Sequence, residues 1–334
     1  MSNESPEALL TAPTRRPPFD AELEPIAEAI ASMGLRISAE SLEPVREMAR
    51  NGVPGQEPVD FTRGGDVVVT ERVIPVPGGD SQLQITVLSP ARQHSRLPGI
   101  LHLHGGGMVS GTRMFGVDAY LPFVAEGEAV VVTVDYRLAP EHPDPAPVED
   151  CYGTLVWMAG AATELGIDGD RLIVAGASAG GGLAAGTALM ARDRGFPNIT
   201  HQVLDFPMID DRFATHSSQM LDGEGTWDRN DNLFGWTALL GDRRGREGVS
   251  SYAAPARADD VSGLPATYLA CGTADGFRDE ALAYADRLNK AGVLVDLHLW
   301  GGGFHGFEFV APDASLSKAA VRTRDDFVRR ALAR

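Results

Sequence analysis

Between residues 98 and 300 the chain alternates short apolar runs with longer helical segments, and this alternation limits its possible folds more than any other feature. PGILHLHGG (98–106), AVVVTVDYRL (129–138), RLIVAGAS (171–178), HQVLDFPMI (201–209), PATYLACG (265–272) and VLVDLHLW (293–300) read as strands. CYGTLVWMAGAATELG (151–166), AGGGLAAGTALMARDRG (179–195) and DEALAYADRLNKAG (279–292) lie between them and read as helices. Near-continuous apolarity marks strands buried on both faces. The pattern therefore predicts an α/β fold with a mostly parallel central sheet flanked by helices.

Upstream, DVVVTERVIPV (66–76) and LQITVLSP (83–90) are strands close enough, across the turn PGGD (77–80), for an antiparallel hairpin at one edge. Two segments stand outside the alternation. After a loose, Pro-containing lead over 1–17, Leu23, Ile26, Ala27, Ile30 and Met33 recur at helical spacing. Leu42, Val45, Met48 and Ala49 do so again, with Ser38 as the expected N-cap, Gly52 past the end and PGQEP (54–58) breaking the pattern. Residues 210–255 are irregular, and the tail from about Ser315 is helical. The two outlying segments are expected to form a helical cap over the C-terminal edge of the sheet, where open α/β folds bind ligands. No tandem repeat or low-complexity tract occurs.

The net charge of −17 makes nucleic acid and anionic membrane surfaces poor partners, since both would repel this chain. Cys151 and Cys271 are the two cysteines, too few for a disulfide framework, and both are expected to be packed, inert thiols in a reducing compartment. The N-terminal stretch lacks a basic region followed by an apolar one, and no run is long enough to span a bilayer. The expectation is a soluble, cytoplasmic protein.

Chemistry enters at Gly176-Ala177-Ser178-Ala179-Gly180, a G-x-S-x-G pentapeptide between an expected strand and an expected helix. A sharp turn there presents the serine hydroxyl above the sheet, and side chains at the two glycines would strike neighbouring backbone. His104-Gly105-Gly106-Gly107 ends an earlier strand. Bare glycine N–H groups in such a loop can meet the negative charge that acyl transfer places on a carbonyl oxygen. A phosphate-binding loop is the alternative, but the chain has neither a Walker Lys-Ser/Thr nor a dinucleotide fingerprint after its first parallel strand. A nucleophilic serine needs a base, and the base an orienting acid, in the chain order Ser, Asp or Glu, His. Asp275 follows the strand PATYLACG and His305 follows VLVDLHLW, both at the edge that carries Ser178. Asp279 and Glu280 look like first-turn helix residues. His298 lies within a strand, His201 precedes one, and His216 falls in the cap. Arg137, Glu141 and His142 in YRLAPEH sit beside the site's edge and read as a structural loop network.

With HGGG at 104–107, DYRLAPEHPDPAPVED at 135–150, GASAGGGLAA at 176–185, DGFRDEALAYADRLNKAGV at 275–293 and HGF at 305–307, the sequence resembles the hormone-sensitive-lipase-like (bacterial family IV) esterases of the α/β-hydrolase superfamily, over roughly residues 65–330. The resemblance implies Ser178 as nucleophile, His305 as general base and Asp275 as its orienting acid. It also implies that the N–H groups of Gly105, Gly106 and Ala179 form an oxyanion hole, that a cap covers the site, and that a homodimer formed through edge strands is possible. Ala177 stands where the family's familiar elbow has Asp, and Gly276-Phe277 where many members have Pro-Leu.

The expected organisation is N-terminal cap helices (1–60), a first catalytic part (61–209), a cap insertion (210–255) and a second catalytic part with the acid and histidine (256–334). The expected function is a serine carboxylesterase acting on short-to-medium acyl esters, with no cofactor and no metal, since neither H-E-x-x-H nor a zinc-spaced Cys/His cluster occurs. Lactone, amide or carbamate hydrolysis by the same triad, and a non-catalytic small-molecule receptor on the same fold, are the alternatives. Trp227, Phe234 and Trp236 are candidates for an acyl pocket and equally for the core of the cap.

Overall fold

A computed structural model describes residues 15–34, 36–52, 58–75 and 82–333. The strands are β1 (Val67–Pro75), β2 (Gln82–Pro90), β3 (Leu97–Leu103), β4 (Val130–Val134), β5 (Ile167–Ala177), β6 (His201–Asp205), β7 (Ala266–Gly272) and β8 (Val295–Trp300). They form one eight-stranded sheet in the order β1-β2-β4-β3-β5-β6-β7-β8. β1 pairs antiparallel with β2, and β2 antiparallel with β4; every later pairing is parallel. The hairpin at one edge is thus as the sequence implies, although its turn, PGGD, lies outside the described residues.

The helices are α1 (Glu24–Ser32), α2 (Leu42–Asn51), α3 (Leu121–Ala125), α4 (Ala146–Gly160), α5 (Ala162–Leu165), α6 (Ala179–Arg194), α7 (Arg229–Leu240), α8 (Arg278–Lys290), α9 (Phe307–Val310) and α10 (Ser315–Leu332). They cover the sheet on both faces. Leu101, Val132, Val174, Leu204 and Leu269 point to the layer of α4, α6 and α8. Ile100, Val131, Ile173 and Val203, one residue away on each strand, point to Phe123 of α3 and to Phe327 and Val328 of α10. This period-two split explains the continuous apolar runs, because each side of the strand has its own core to fill.

Three expectations change. The strand expected over 201–209 ends at Asp205, because Phe206 takes a φ of 37° and Pro207 has no N–H to pair. α2 begins at Leu42 with Ser41, not Ser38, at the N-cap position; the two serines instead bond each other, each hydroxyl accepting the other's N–H. The segment read as irregular contains α7, whose start is a reciprocal capping box. Asp228 accepts N–H groups from Asn230 and Asp231, and the Asp231 carboxylate accepts the Asp228 N–H.

The N-terminal segment and residues 210–255 meet above the C-terminal ends of the strands. Phe19, Leu23 and Ala27 pack with Met220, Leu221, Phe304 and Phe307. The Asp231 carboxylate accepts the Ile37 N–H at 2.8 Å and pairs with Arg36 at 3.2 Å. Arg46 of α2 donates to the carbonyls of Val109 at 2.8 Å and Ala139 at 2.9 Å and pairs with Glu141, tying α2 to the loop that follows the glycine run. Among the described residues, no helix is long and apolar enough to cross a membrane.

Candidate active site

Ser178 occupies the one-residue turn from β5 into α6 with φ 56° and ψ −123°, a backbone conformation that costs an L-residue about 1–3 kcal/mol. Backbone hydrogen bonds hold it there. Its N–H donates to the Asp205 carbonyl at 2.9 Å, and its carbonyl accepts from Gly182 at 3.0 Å and Met208 at 2.9 Å. The departure of the chain from β6 after Asp205 is what brings the Met208 N–H to the turn. The flanking glycines are demanded by contact. A Cβ on Gly176 would lie 2.3 Å from the Gly180 carbonyl oxygen, and one on Gly180 would lie 2.0 Å from that of Leu103.

His305 and Asp275 arrive from the loops after β8 and β7. His305 Nε2 stands 2.9 Å from Ser178 Oγ, and its Nδ1 stands 2.9 Å from Asp275 Oδ2. The second Asp275 oxygen accepts the Phe277 N–H at 2.9 Å. With a carboxylate facing Nδ1, that nitrogen carries the proton and Nε2 is left to accept from the serine hydroxyl. The rings of Phe206 and Phe277 meet the imidazole edge-on at centroid distances of 4.8 and 5.0 Å, and the Thr226 hydroxyl donates to the His305 carbonyl. Ser178, His305 and Asp275 are 8%, 7% and 1% exposed, so the charges that would form there are poorly screened by water.

The loop 104–110 brings the glycine run beside the serine. A Cβ on Gly105 would sit 3.6 Å from Ser178 Cβ. Gly106, at φ 112°, turns the chain, and its carbonyl accepts from Val109 and Ser110. Among the described residues, no acceptor meets the N–H groups of Gly105, Gly106 or Ala179. His104 is a brace for this loop. It stacks on Tyr136 at 4.1 Å, its Nδ1 donates to the Gly105 carbonyl at 2.8 Å, and burial pushes its pKa down to about 4, so the ring is neutral.

The aromatic candidates separate. Trp227 reaches the site: its ring is 6.3 Å from that of His305, and a Cβ on Gly107 would strike it. Phe234 is half-buried against the main core. Trp236 is a correction to the acyl-pocket expectation: at 0% exposure within that core, it offers a ligand no surface to touch. The other acids and histidines serve the framework. The Glu280 carboxylate, raised well above its usual range by burial, accepts the Ile209 N–H at 3.0 Å. Asp279 accepts the Ser217 N–H at 2.8 Å. His298 lies between the rings of Tyr268 and Trp300, and Arg137 pairs with Asp150. Phe206 and Thr226 were not singled out by sequence, and Phe277 only as a departure from the family's Pro-Leu, not for its contact with His305. The pair Phe206-Pro207, which must end a strand level with the elbow, was the available signal.

Among the described residues, no group of three or more His, Cys, Asp or Glu side chains is placed to hold a metal ion. Cys151 and Cys271 are free and buried.

The sequence model of the alpha/beta hydrolase fold family matches residues 100–309. Carboxylesterase NlhH of Mycobacterium tuberculosis is 35% identical over 246 residues, covering 71% of this chain and 76% of that protein. Esterase LipI of the same species is 32% identical over 311 residues, covering 90% and 92%. Among solved structures, a bacterial heroin esterase superposes with a TM-score of 0.85 at 36% identity, covering 94% of this chain and 98% of that one.

Proposed function

The chain belongs to the hormone-sensitive-lipase-like branch of the α/β-hydrolase family and is a carboxylic ester hydrolase, and from that premise we propose that Ser178, His305 and Asp275 carry the reaction through an acyl-enzyme. The observation that carries the reading is the continuous relay, 2.9 Å from serine to imidazole and 2.9 Å from imidazole to carboxylate. Ser178 Oγ attacks the ester carbonyl carbon as His305 Nε2 takes its proton, and Asp275 stabilises the resulting imidazolium. The carbonyl oxygen, now negative, is met by the N–H groups of Gly105, Gly106 and Ala179, each contributing on the order of 10²–10³ in rate. His305 then returns the proton to the departing alcohol. Water attacks the acyl-enzyme by the same route in reverse and releases the acid.

The N-terminal helices and residues 210–255 act as a cap in this reading, supported by the Asp231–Arg36 pair and by the shared apolar cluster at the His305 loop. A cap with Trp227 over the glycine run limits the acyl chain to short or medium length. The substrate is a small ester. Edge strand β8, with Leu297 and Leu299 38% and 41% exposed, is the surface on which a homodimer would form, and the two buried free thiols suit a reducing compartment such as the cytoplasm.

The test is turnover of p-nitrophenyl esters from acetate to dodecanoate by the wild type and by Ser178→Ala, with folding checked by circular dichroism. A folded variant slower by about 10⁶-fold in kcat supports the assignment. A folded wild type that hydrolyses no ester, or a Ser178→Ala protein that keeps most of its rate, overturns it.

A further inference from the structure

Beneath the elbow, on the sheet face covered by α3 and α10, lies a second cavity that the triad does not use. Its rim is formed by Gly105, Gly176 and Ala177, and Phe115 and Phe309, 50% and 36% exposed with centroids 6.2 Å apart, flank it on the outer side. The rim adjoins the nucleophile, since a Cβ on Gly105 would be 3.6 Å from Ser178 Cβ and 3.7 Å from the Phe115 ring. The space left for the centre of a water-sized group is about 10 Å³, enough for one oxygen or methyl-sized group.

The floor is polar. His102, Tyr120, Asp205 and Arg324 line it, and each is at most 5% exposed. Arg324 donates to Asp325 from Nε and Nη2. The Asp205 carboxylate faces the Arg324 charge, and neither it, the Tyr120 hydroxyl nor His102 Nε2 is among the enclosed side-chain atoms that lack a partner, so each keeps a face open to the cavity. Polar groups that open onto one small space without a protein hydrogen bond are paired by whatever enters that space.

Their chemistry says what. The Thr133 hydroxyl donates to the Arg113 carbonyl at 2.6 Å, so it can only accept from His102, and His102 Nδ1 carries the proton. Burial pushes His102 down to about 3, which keeps the ring neutral and leaves Nε2 as a bare acceptor. Asp205, raised by burial to about 6, is a second acceptor at neutral pH. The occupant must therefore donate a hydrogen bond. The Arg324 guanidinium opposes an ammonium group, while a hydroxyl can donate to Asp205 or His102 and accept from Tyr120.

We infer that this cavity is a subsite for a hydroxyl carried two or three atoms from the ester carbonyl group, so that the enzyme favours short hydroxylated esters over their plain alkyl counterparts. Ala177 makes the subsite possible, because any larger side chain there would fill its rim. The inference rests on the esterase reading of Ser178, and its test separates the two.

The measurement is kcat/KM for p-nitrophenyl butanoate against both enantiomers of p-nitrophenyl 3-hydroxybutanoate, and for ethyl butanoate against 2-hydroxyethyl butanoate. The first pair places the hydroxyl on the acid side and the second on the alcohol side. A preference of about 10- to 100-fold is expected in one pair. Asp205→Asn, which keeps the shape, and Ala177→Val, which fills the space and removes no polar group, should each cut that ratio at least fivefold. The ratio is read within each variant, so a general loss of activity does not imitate the effect. A wild-type ratio near one in both pairs overturns the inference while leaving the esterase reading intact, and so does a ratio unchanged in both variants. No turnover of any ester by folded wild type removes both.

Discussion

Gly180→Ala sets two effects of opposite sign against each other. Gly180 lies in the first turn of α6, where alanine is the better helix former by about 0.8–1 kcal/mol. On propensity alone the variant would be more stable. The added Cβ, however, would sit 2.0 Å from the Leu103 carbonyl oxygen and 2.7 Å from that of His104, where real Cβ contacts essentially never come under 3.0 Å. Relief requires about 1 Å of separation between α6 and the end of β3. Neither obstacle can rotate away: Leu103 is paired in the sheet opposite Gly176, and the Tyr136 hydroxyl donates to the His104 carbonyl at 2.9 Å. Overpacking of this kind costs about 1–3 kcal/mol or more, so the clash outweighs the propensity. The displaced elements are the ones that carry Ser178 and Gly105, and a 1 Å misplacement at reacting groups costs on the order of 10² in rate. The expected result is a lower Tm and a kcat on p-nitrophenyl butanoate reduced about 100-fold. Gly160→Ala is the control, at the last residue of α4 where a Cβ would meet nothing within 4 Å, and it should leave kcat unchanged. A Gly180→Ala enzyme with wild-type Tm and kcat within threefold would refute the argument that backbone clearance fixes this glycine.

Glu308 Oε2 is enclosed without a partner, and burial pushes its carboxyl up to about 8 from 4.5. The native state therefore holds a proton that the unfolded chain releases, and the associated stability is full below pH 4.5 and lost as pH rises through 8. Glu308→Gln should match wild-type Tm near pH 4.5 and exceed it by several degrees at pH 9, for a difference of up to roughly 5 kcal/mol; a gap that does not widen with pH contradicts this. Cys151 and Cys271, 0% and 1% exposed with thiols raised by burial, should resist a thiol reagent at pH 8 in the native protein and react, two per chain, after denaturation. Rapid labelling of either in the folded enzyme would show that the core opens.

What was legible in the sequence was whatever a backbone constraint imposes. Gly176 and Gly180 are required by carbonyls 2.0–2.3 Å from any added Cβ, so their spacing around Ser178 could be read without coordinates. The strand ends that carry Asp275 and His305 followed from the alternation of apolar runs. What packing alone decides was not legible. Trp227 and Trp236 are nine residues apart in one segment, yet one touches His305 and the other is sealed in the core, and composition carries no sign of which. The capping box of α7 was written as Asp228 and Asp231 before an apolar stretch but was hidden by the polar residues around it. The second cavity was the least visible feature, because His102, Tyr120, Asp205 and Arg324 come from four separate places in the chain. Its one local trace is a polar residue at an inward strand position. Thr133 and Thr267 are equally buried in strands, yet each hydroxyl donates to a carbonyl, of Arg113 and Pro265 respectively, and such groups need no function to explain them. Asp205 and Tyr120 make no such bond to a carbonyl and instead keep a face open to the cavity. Desolvating a polar group without a hydrogen bond costs about 1–3 kcal/mol. Asp205 and Tyr120 escape that cost by facing one small space against the nucleophile elbow, where a hydroxyl that enters can pair with them.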